Sequence, residues 1–274
     1  MHDLHHMDFI FQTKLGTYSL DAQCEMLVET GYQGLTVSAW SQKLDTLDQI
    51  KTRWGLDVGA VYLIYRQGLE SFVINAVESI QGCHSIELAL DSGKGVTDLD
   101  RKILEKILPI AERRGIEIVL YPHVRYGMQT TSEAVQLCKA FNHPSLGIVF
   151  NGYHWYANQE QLLEERLQAV SLWLKQVNIA GCRLSPLGWG GVATIETLDE
   201  GEMDNFVLMG ALRRLGYRGR YSVLGWESMG GDVFGNLERS QKAFRSMEQR
   251  LIKHPEWSVL DSLNRTGFVG ESIF

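Results

Sequence analysis

The sequence predicts a single closed (β/α)8 barrel. Short apolar segments alternate with helical segments in about eight units along the 274 residues, with little loop between them, which is the pattern of a parallel sheet. Two of the apolar runs, 116–123 and 146–154, turn polar only in their last residues, as strands do where a barrel presents a site at its C-terminal end. No G-x-G-x-x-G follows the first strand, so a doubly wound open sheet is the weaker interpretation.

The elements of the N-terminal part follow from apolar runs and from residues typical of helix ends. Gly31 and Gly115 each follow a helical pattern and are good helix C-caps. Glu87 and Glu117 lie deeper on their strands and are expected to form ion pairs inside or below the barrel. We predict strands over 8–13, 34–39, 56–65 and 85–91, and helices over 20–30, up to residue 54, and over 98–114.

The C-terminal part continues the alternation. The run Thr-Thr-Ser-Glu at 130–133 fits a capping box that starts a helix between the two runs with polar ends. Two loops, 185–202 and 225–235, are longer than a barrel needs and carry several glycines. We interpret them as lids or ligand clamps. The alternative is that they are surface insertions without a role in ligand binding. Further helices are predicted over 160–174, 203–215 and 234–252, and further strands over 177–185 and 221–227.

Composition and charge exclude several classes of protein. The net charge is −7 with scattered Lys and Arg, whereas a nucleic-acid partner requires a cationic face. The four cysteines form no CxxC pair and are predicted to be buried thiols in a reducing compartment. No secretory signal or membrane-spanning segment is evident, so we expect a cytoplasmic protein without a membrane partner. At a frayed N-terminus, His2, His5 and His6 are expected to be solvated.

The predicted domain covers residues 1–274. Its tail, residues 253–274, carries Trp257, Phe268 and Phe274, and these large apolar side chains are expected to leave solvent. We therefore predict that the tail packs on the barrel or on the second subunit of a homodimer.

Several side chains at the predicted strand ends suit a small polar ligand. His154 is flanked by aromatic residues, which together would form a pocket with aromatic walls and one titratable group. Glu227, in the run Gly-Trp-Glu-Ser, is the best candidate for a general base. Tyr121 either binds the ligand or fills the barrel top, and His123 either contacts the ligand or holds a loop. Asp91 either binds a ligand hydroxyl or caps the next helix.

Three stretches of the sequence form a set of motifs: in chain order, ETGYQG at 29–34, LPIAERRGI leading into LYPH at 108–123, and LGYRG at 215–219. Together they resemble the xylose isomerase-like sugar phosphate isomerase/epimerase family of TIM barrels. The resemblance implies an enzyme that moves a proton between adjacent carbons of a sugar. It also implies one divalent cation (Mn, Mg or Zn) at the C-terminal rim, held by a Glu on strand five, an Asp on strand six, a His on strand seven and a Glu on strand eight.

The sequence departs from that ligand pattern at three positions. Tyr121 stands at the Glu of strand five, Asn151 at the Asp of strand six, and Arg183 at the His of strand seven. These changes remove two anions and add a cation that opposes a metal at close range. His154 and Glu227 are left as candidate metal ligands. We therefore expect no bound cofactor, with weak binding of a divalent cation left open.

Arg183 is the one departure that adds a capability. Its guanidinium can bind a phosphate or carboxylate beside the glycines of the loops that follow strands seven and eight. The alternative is a salt bridge to Glu227 or Asp91. Trp189 and Trp226 lie in the same two loops and are expected to contact the substrate, together with Tyr121, His123, Asn151, Arg183 and Asp91.

The resemblance thus implies a sugar or sugar-phosphate isomerase/epimerase-like protein with Glu227 and His154 as its catalytic residues. The alternative is a barrel that has lost its metal and its catalysis and binds a ligand or regulates, which Tyr121, Asn151 and Arg183 favour. An abasic-site endonuclease of the same fold would need a multi-zinc cluster and a cationic DNA face, and the acidic charge argues against both.

Overall fold

Eight parallel strands close into a barrel in the computed structural model, which describes residues 1–226 and 229–260. Each strand pairs with the next along the chain, and the first strand pairs with both the last and the second. The predicted single (β/α)8 barrel is therefore confirmed. Its strands are β1 (Leu4–Met7), β2 (Gly34–Ser38), β3 (Asp57–Tyr65), β4 (Ser85–Leu90), β5 (Glu117–Leu120), β6 (Leu146–Asn151), β7 (Leu174–Ile179) and β8 (Tyr221–Val223).

Helices connect the strands and surround the barrel. A short hairpin pairs Gln12–Thr13 with Gly16–Thr17, and an extra strand, Leu184–Trp189, lies in the long connection after β7. Within the described residues no helix is long and apolar enough to cross a membrane. The helices are α1 (Leu20–Glu29), α2 (Asp48–Trp54), α3 (Glu70–Ser79), α4 (Asp98–Arg114), α5 (Thr131–Phe141), α6 (Gly152–Ala157), α7 (Leu163–Val170), α8 (Asn205–Arg214) and α9 (Val233–Lys253).

Local sequence determines where α4 and α5 begin and end. The predicted capping box of α5 forms, since the Thr130 hydroxyl accepts from the Glu133 amide and the Glu133 carboxylate accepts from the Thr130 amide. Gly115 ends α4 with a φ of 64°, a left-handed conformation that glycine adopts without the strain of a Cβ. Ile103 and Ile107 of α4 are buried against the barrel, as their helical spacing indicates.

The predicted position of the first strand is wrong. Residues 4–7 form β1, whereas Asp8–Phe11 form a 3-10 turn beyond its C-terminal end. His5 and His6, expected to be solvated, are buried. The His5 ring occupies space inside the barrel that a Cβ at Gly34 or Gly59 would fill. Burial lowers the pKa of His5 to about 3 and that of His6 to about 4, so both are neutral.

Three further boundaries differ from the sequence prediction. The seventh strand ends at Ile179 rather than at residue 185, and the eighth ends at Val223 rather than at 227. The helix expected over 160–174 is replaced by α6 and α7, because the Asn151 side chain caps a helix that starts directly after β6. Of the predicted tail, Pro255–Ser258 form a 3-10 turn and Ser258 bonds Arg214 of α8, at 2.9 Å. Phe268 and Phe274 lie outside the described residues, as does Glu227.

The N-terminus is fastened to α9 through a half-buried ion cluster. The His2 amide and its Nδ1 lie 2.8 and 3.0 Å from Oε1 of Glu248, and the Arg245 guanidinium lies 2.7 Å from Oε2. Burial alone would raise the pKa of Glu248, but the hydrogen bonds from His2 and Arg245 outweigh it and lower this pKa to about 2. This carboxylate therefore holds the residues before β1 against the last helix.

Substitution Glu248→Gln is expected to lower the free energy of unfolding by about 2 kcal/mol at pH 7, an estimate reduced for partial solvent screening. Because the folded-state pKa lies below the unfolded one, the stabilisation is complete above about pH 4.5 and disappears as the pH falls towards 2. Urea denaturation of both proteins at pH 7, 5 and 3 measures this. Glu238→Gln, in an exposed pair with Lys242 on the same helix, is the control; an equal loss in both variants would contradict the prediction.

Candidate functional site

Four inward-facing polar side chains on successive strands form a buried group near the C-terminal end of the barrel, called here the polar cluster. Glu87 comes from β4, Asn151 from β6 and Asn178 from β7, and Tyr121 directly follows β5. Nδ2 of Asn151 donates to the Tyr121 hydroxyl at 2.6 Å, and Nδ2 of Asn178 donates to Oε1 of Glu87 at 3.0 Å. The cluster joins the two sides of the barrel interior with hydrogen bonds.

Glu87 is fully buried within this cluster. Burial raises the pKa of Glu87 to about 7, although the Asn178 amide and the charge of Arg220 act in the opposite direction. Its Oε2 and the Oδ1 of Asn178 are both buried and find no hydrogen-bond partner within residues 1–226 and 229–260. Among the described residues Glu87 forms no ion pair, so that prediction is wrong for Glu87; Glu117 does pair, with Lys175 at 2.6 Å.

Aromatic rings from the connections after several strands cover the polar cluster, and we call them the aromatic layer. Tyr62 and Tyr121 meet edge to face with centroids 4.9 Å apart, and Phe9 lies 5.3 Å from Tyr62. Such edge-to-face pairs are favourable beyond the area that they bury. The layer comprises Phe9, Trp40, Tyr62, Tyr121, His123, Tyr126, His154, Trp189 and Trp226.

His123 and His154 are neutral and present opposite hydrogen-bonding groups. Their rings are 3.9 Å apart. Nδ1 of His123 lies 2.7 Å from the Val124 carbonyl, which assigns the ring proton to Nδ1, whereas Nδ1 of His154 faces the Val124 amide at 3.4 Å, which assigns its proton to Nε2. Burial lowers the pKa of His123 to about 3 and that of His154 well below its usual range. The pair thus offers one acceptor and one donor without charge.

The side chains of this site do not fit the ligand requirements of a divalent cation. A hard cation needs several oxygen ligands with net negative charge, but the neutral side chains Tyr121 and Asn151 stand at the strand-five and strand-six positions, hydrogen-bonded to each other. Across residues 1–226 and 229–260, no group of three His, Cys, Asp or Glu side chains is arranged to hold a metal ion. The candidate ligand His154 is described and lies in the aromatic layer, and Glu227 is outside the described residues.

Arg183 lies in the connection after β7 and pairs with a residue of the same connection. It follows β7 by four residues, and its half-exposed guanidinium lies 3.0 Å from Glu196. Of the two roles left open, a salt bridge is therefore observed, with Glu196. Asp91 pairs with Arg66 instead, and Glu227 lies outside the described residues. Asp91 accepts from Arg66 at 2.8 Å and from the Gly127 amide at 3.2 Å, while Thr97 caps the next helix.

Six of the predicted site residues that the structure describes do come together. Trp189 lies 4.9 Å from His123, and Trp226 lies 5.4 Å from Phe9, so both loop tryptophans belong to the aromatic layer. Tyr121, Asn151 and His154 are in mutual contact at its centre. The role of each in substrate binding or catalysis stays a prediction.

The two long loops after β7 and β8 lie side by side and enclose a cleft of about 520 Å³. The cleft carries three carboxylates, Glu196, Glu200 and Asp232, and a single guanidinium, Arg239, which already bonds Asp199 and Glu200. Its charge balance is therefore acidic. Its lining residues are Leu187, Gly188, Thr194–Thr197, Glu200, Met229–Asp232, Gly235, Asn236 and Arg239.

Sequence reasoning missed half of the polar cluster. Glu87 and Asn178 sit inside apolar runs. Successive side chains along a strand alternate between its two faces, and this alternation places both residues on the inward face of their strands. That alternation was the available indication of an inward orientation. Phe9 and Tyr62 were missed because aromatic residues in apolar runs look like ordinary core.

Residues 92–250 match the sequence profile of the xylose isomerase-like TIM barrel family. No curated protein sequence matches the chain significantly.

Solved structures share the fold at low sequence identity. An L-ribulose 3-epimerase superposes with a TM-score of 0.75 at 13% identity, over 95% of this chain and 99% of that protein. The 3-keto-D-glucoside 4-epimerase from E. coli has a TM-score of 0.65 at 16% identity, over 91% and 100%. A fusion of a xylose isomerase-like TIM barrel with 4-hydroxyphenylpyruvate dioxygenase gives 0.75 at 14% identity; the alignment covers 95% of this chain but 45% of the fusion protein.

Substitution Tyr121→Phe is expected to destabilise the protein by about 1–3 kcal/mol, because it leaves the buried Asn151 amide without its acceptor. Urea denaturation at pH 7 measures the loss. Tyr156→Phe is the matched control, since that hydroxyl bonds Glu202 near solvent and its loss is expected to matter little. Equal stability of Tyr121→Phe and the wild type would show that the Asn151 amide finds another partner.

Proposed function

The chain belongs to the xylose isomerase-like TIM barrel family, and we propose that it acts as a sugar isomerase- or epimerase-like enzyme at the C-terminal end of its barrel. The observation that supports this most is the polar cluster, which gathers Glu87, Tyr121, Asn151 and Asn178 at the end of the barrel where such folds carry out chemistry. The epimerases with the same fold act on sugars or keto-glucosides, which agrees with the proposal.

The chemistry of the site suits a small polyhydroxylated ligand. Amide, hydroxyl and imidazole groups of both donor and acceptor character meet the alternating donors and acceptors of sugar hydroxyls. Aromatic rings such as Trp189 and Trp226 suit the apolar faces of a sugar ring. Tyr121, His123, Asn151 and Asp91 complete the proposed substrate contacts.

Proton transfer at a carbon next to a carbonyl is the proposed reaction. It requires a base for the carbon-bound proton, and Glu227 is the candidate, with His154 as the second proposed catalytic residue. It also requires stabilisation of the oxygen that becomes negative as the proton leaves. The side chains of the site do not fit a divalent cation. We therefore propose that this chain stabilises the negative oxygen with hydrogen bonds rather than with a resident metal.

We expect the protein to exchange a carbon-bound proton of a 2-ketose or an aldose with solvent. Each sugar is incubated with the protein in D2O, and loss of the proton next to the carbonyl is followed by NMR, with EDTA and separately with Mn²⁺. Exchange is expected at equal rates under both conditions, because no metal step is proposed. Exchange that requires Mn²⁺ would instead show a family-type metal site, and saturable binding without exchange would show a ligand-binding barrel.

The same assay tests the proposed base. Glu227→Gln is expected to reduce exchange by about 100-fold or more, the usual contribution of a general base. Glu238→Gln, an exposed glutamate on α9, is the control for loss of one carboxylate. Full exchange in Glu227→Gln would place the base elsewhere.

Neutral sugars are expected to bind at least as tightly as their phosphates. Arg183 and Arg239 are already paired with carboxylates, and the cleft between the two loops is acidic on balance. Calorimetric titration of the wild type and of Arg183→Ala with a sugar and its phosphate measures this, with Arg213→Ala as a control on α8. A tenfold weakening that affects only the phosphate in Arg183→Ala would establish the anion pocket that the sequence suggested.

A further inference from the structure

We propose that Glu87 works as a neutral carboxylic acid and, together with the Tyr121 hydroxyl, stabilises the negative charge that develops on the substrate's carbonyl oxygen. The two side chains would supply the hydrogen bonds that replace the cation of the family's ligand pattern. The proposal rests on the proposed proton-transfer function and names the groups that make it work without a metal. The ligand class is an α-hydroxycarbonyl compound, such as an open-chain ketose or aldose.

The hydrogen-bond pattern leaves two donors free in the polar cluster. The Tyr121 oxygen accepts from Asn151, so its own hydrogen is available for another acceptor. Oε1 of Glu87 accepts from Asn178, and Oε2 is buried without a partner. A proton on Oε2 turns that orphan oxygen into a second donor. An ionised Glu87 would instead be a fully buried charge with one hydrogen bond, which is a costly arrangement.

The charged and titratable groups around Glu87 agree with a neutral carboxyl. Arg220, just before β8, is the nearby cation, and its guanidinium already bonds the Gly59 carbonyl and, at 2.6 Å, Oε1 of Gln176. The other groups that face Glu87 are uncharged: Tyr62 from β3, Tyr121 after β5 and Cys83 before β4. Burial is the largest influence and raises the pKa of Glu87 to about 7.

The second orphan oxygen identifies the neighbouring substrate group. Oδ1 of Asn178 is a buried acceptor without a partner, directly beside the Glu87 carboxyl. A substrate whose carbonyl oxygen accepts from Glu87 and Tyr121 can donate an adjacent hydroxyl to this oxygen. A carbonyl with a hydroxyl on the next carbon satisfies the two donors and the acceptor together.

The residues directly above these groups are small. By strand alternation, the next inward positions above Glu87 and Asn178 are Ala89 and Ala180. Because the polar cluster is fully buried, the aromatic layer above it must open to admit the substrate. Tyr62 covers the cluster on the β3 side, in edge-to-face contact with Tyr121.

The reaction balances without an oxidant or a reductant. The base takes the proton from the carbon next to the carbonyl, and the electron pair of that C–H bond forms the double bond of an enediolate. The carbonyl π pair moves onto oxygen, where hydrogen bonds from Glu87 and Tyr121 stabilise the charge. Return of a proton to the same carbon on the opposite face gives the epimer. Return of a proton to the former carbonyl carbon, with the proton of the adjacent hydroxyl passing to the former carbonyl oxygen, gives the isomer. A neutral buried acid beside a tyrosine is a known type of oxyanion site.

The pH dependence of exchange in Glu87→Gln is the first test. The wild-type rate is expected to fall as the pH rises through about 7, because an ionised Glu87 loses its donor and repels the oxyanion. Glutamine is neutral and donates at every pH, so Glu87→Gln is expected to keep exchange within tenfold at pH 6.5 and to abolish the fall. Glu117→Gln, a strand glutamate paired with Lys175, should behave like the wild type. Loss of exchange in Glu87→Gln at every pH would overturn the proposal and make Glu87 a base.

The stability of the same variants provides a test that is independent of activity. A carboxyl with a raised folded-state pKa stabilises fully below the unfolded pKa of about 4.5, and this stabilisation is lost as the pH rises towards 7. The urea midpoint of Glu87→Gln should therefore rise relative to the wild type between pH 5 and 7.5 and then stay constant. A midpoint difference that does not change with pH would overturn the neutral carboxyl.

The two readouts distinguish the failure of each proposal. Wild-type exchange combined with an inactive Glu87→Gln overturns the oxyanion role alone. No exchange of any sugar by the wild type overturns the proposed function and, with it, the catalytic role of Glu87. A pH-dependent midpoint difference would in that case still establish a buried neutral acid.

Discussion

Closure of the barrel by its first strand is the constraint on which the rest of the structure depends. β1 is four residues long, yet it pairs with β8 on one side and β2 on the other. His5 on this strand points inward, and the barrel accommodates its ring only because Gly34 and Gly59 carry no side chain there. The turn that follows β1 then places Phe9 over the mouth, in contact with Tyr62. One short strand therefore completes both the sheet and the aromatic layer.

A closed barrel changes the chemistry of every polar group that faces inward. The interior excludes water, so charge is costly and hydrogen bonds are strong. At the N-terminal end, the partly buried charge of Arg220 is stabilised by hydrogen bonds to a backbone carbonyl and to Gln176. His5 carries no charge, because burial lowers its pKa. At the C-terminal end Glu87 has an amide as its partner rather than a cation. The same burial that stabilises the sheet thus raises the pKa of this carboxyl.

The sequence predicted most of the fold because the barrel repeats one local pattern. Capping residues such as Thr130 and Gly115 mark helix ends by their own chemistry, and the structure confirms both. The first strand was misplaced because its histidines look exposed, and only barrel closure makes them core. For the site, the strand-end residues Tyr121 and Asn151 were found from position alone. The bond between Tyr121 and Asn151 depends on which strands are neighbours, and the bond between Glu87 and Asn178 depends on which strands face each other across the barrel. Local sequence encodes neither.

The departures from the family's ligand pattern are physically linked to one another. A divalent cation beside the polar cluster would stabilise an ionised Glu87 and lower its pKa. With Tyr121 and Asn151 at the ligand positions, the anions that hold such a cation are absent there. Without a cation beside it, burial raises the pKa of Glu87, and a protonated carboxyl is a hydrogen-bond donor where a carboxylate is not. In the proposed mechanism, the loss of the metal ligands and the use of a buried acid are therefore one change in the electrostatics of the barrel rather than two.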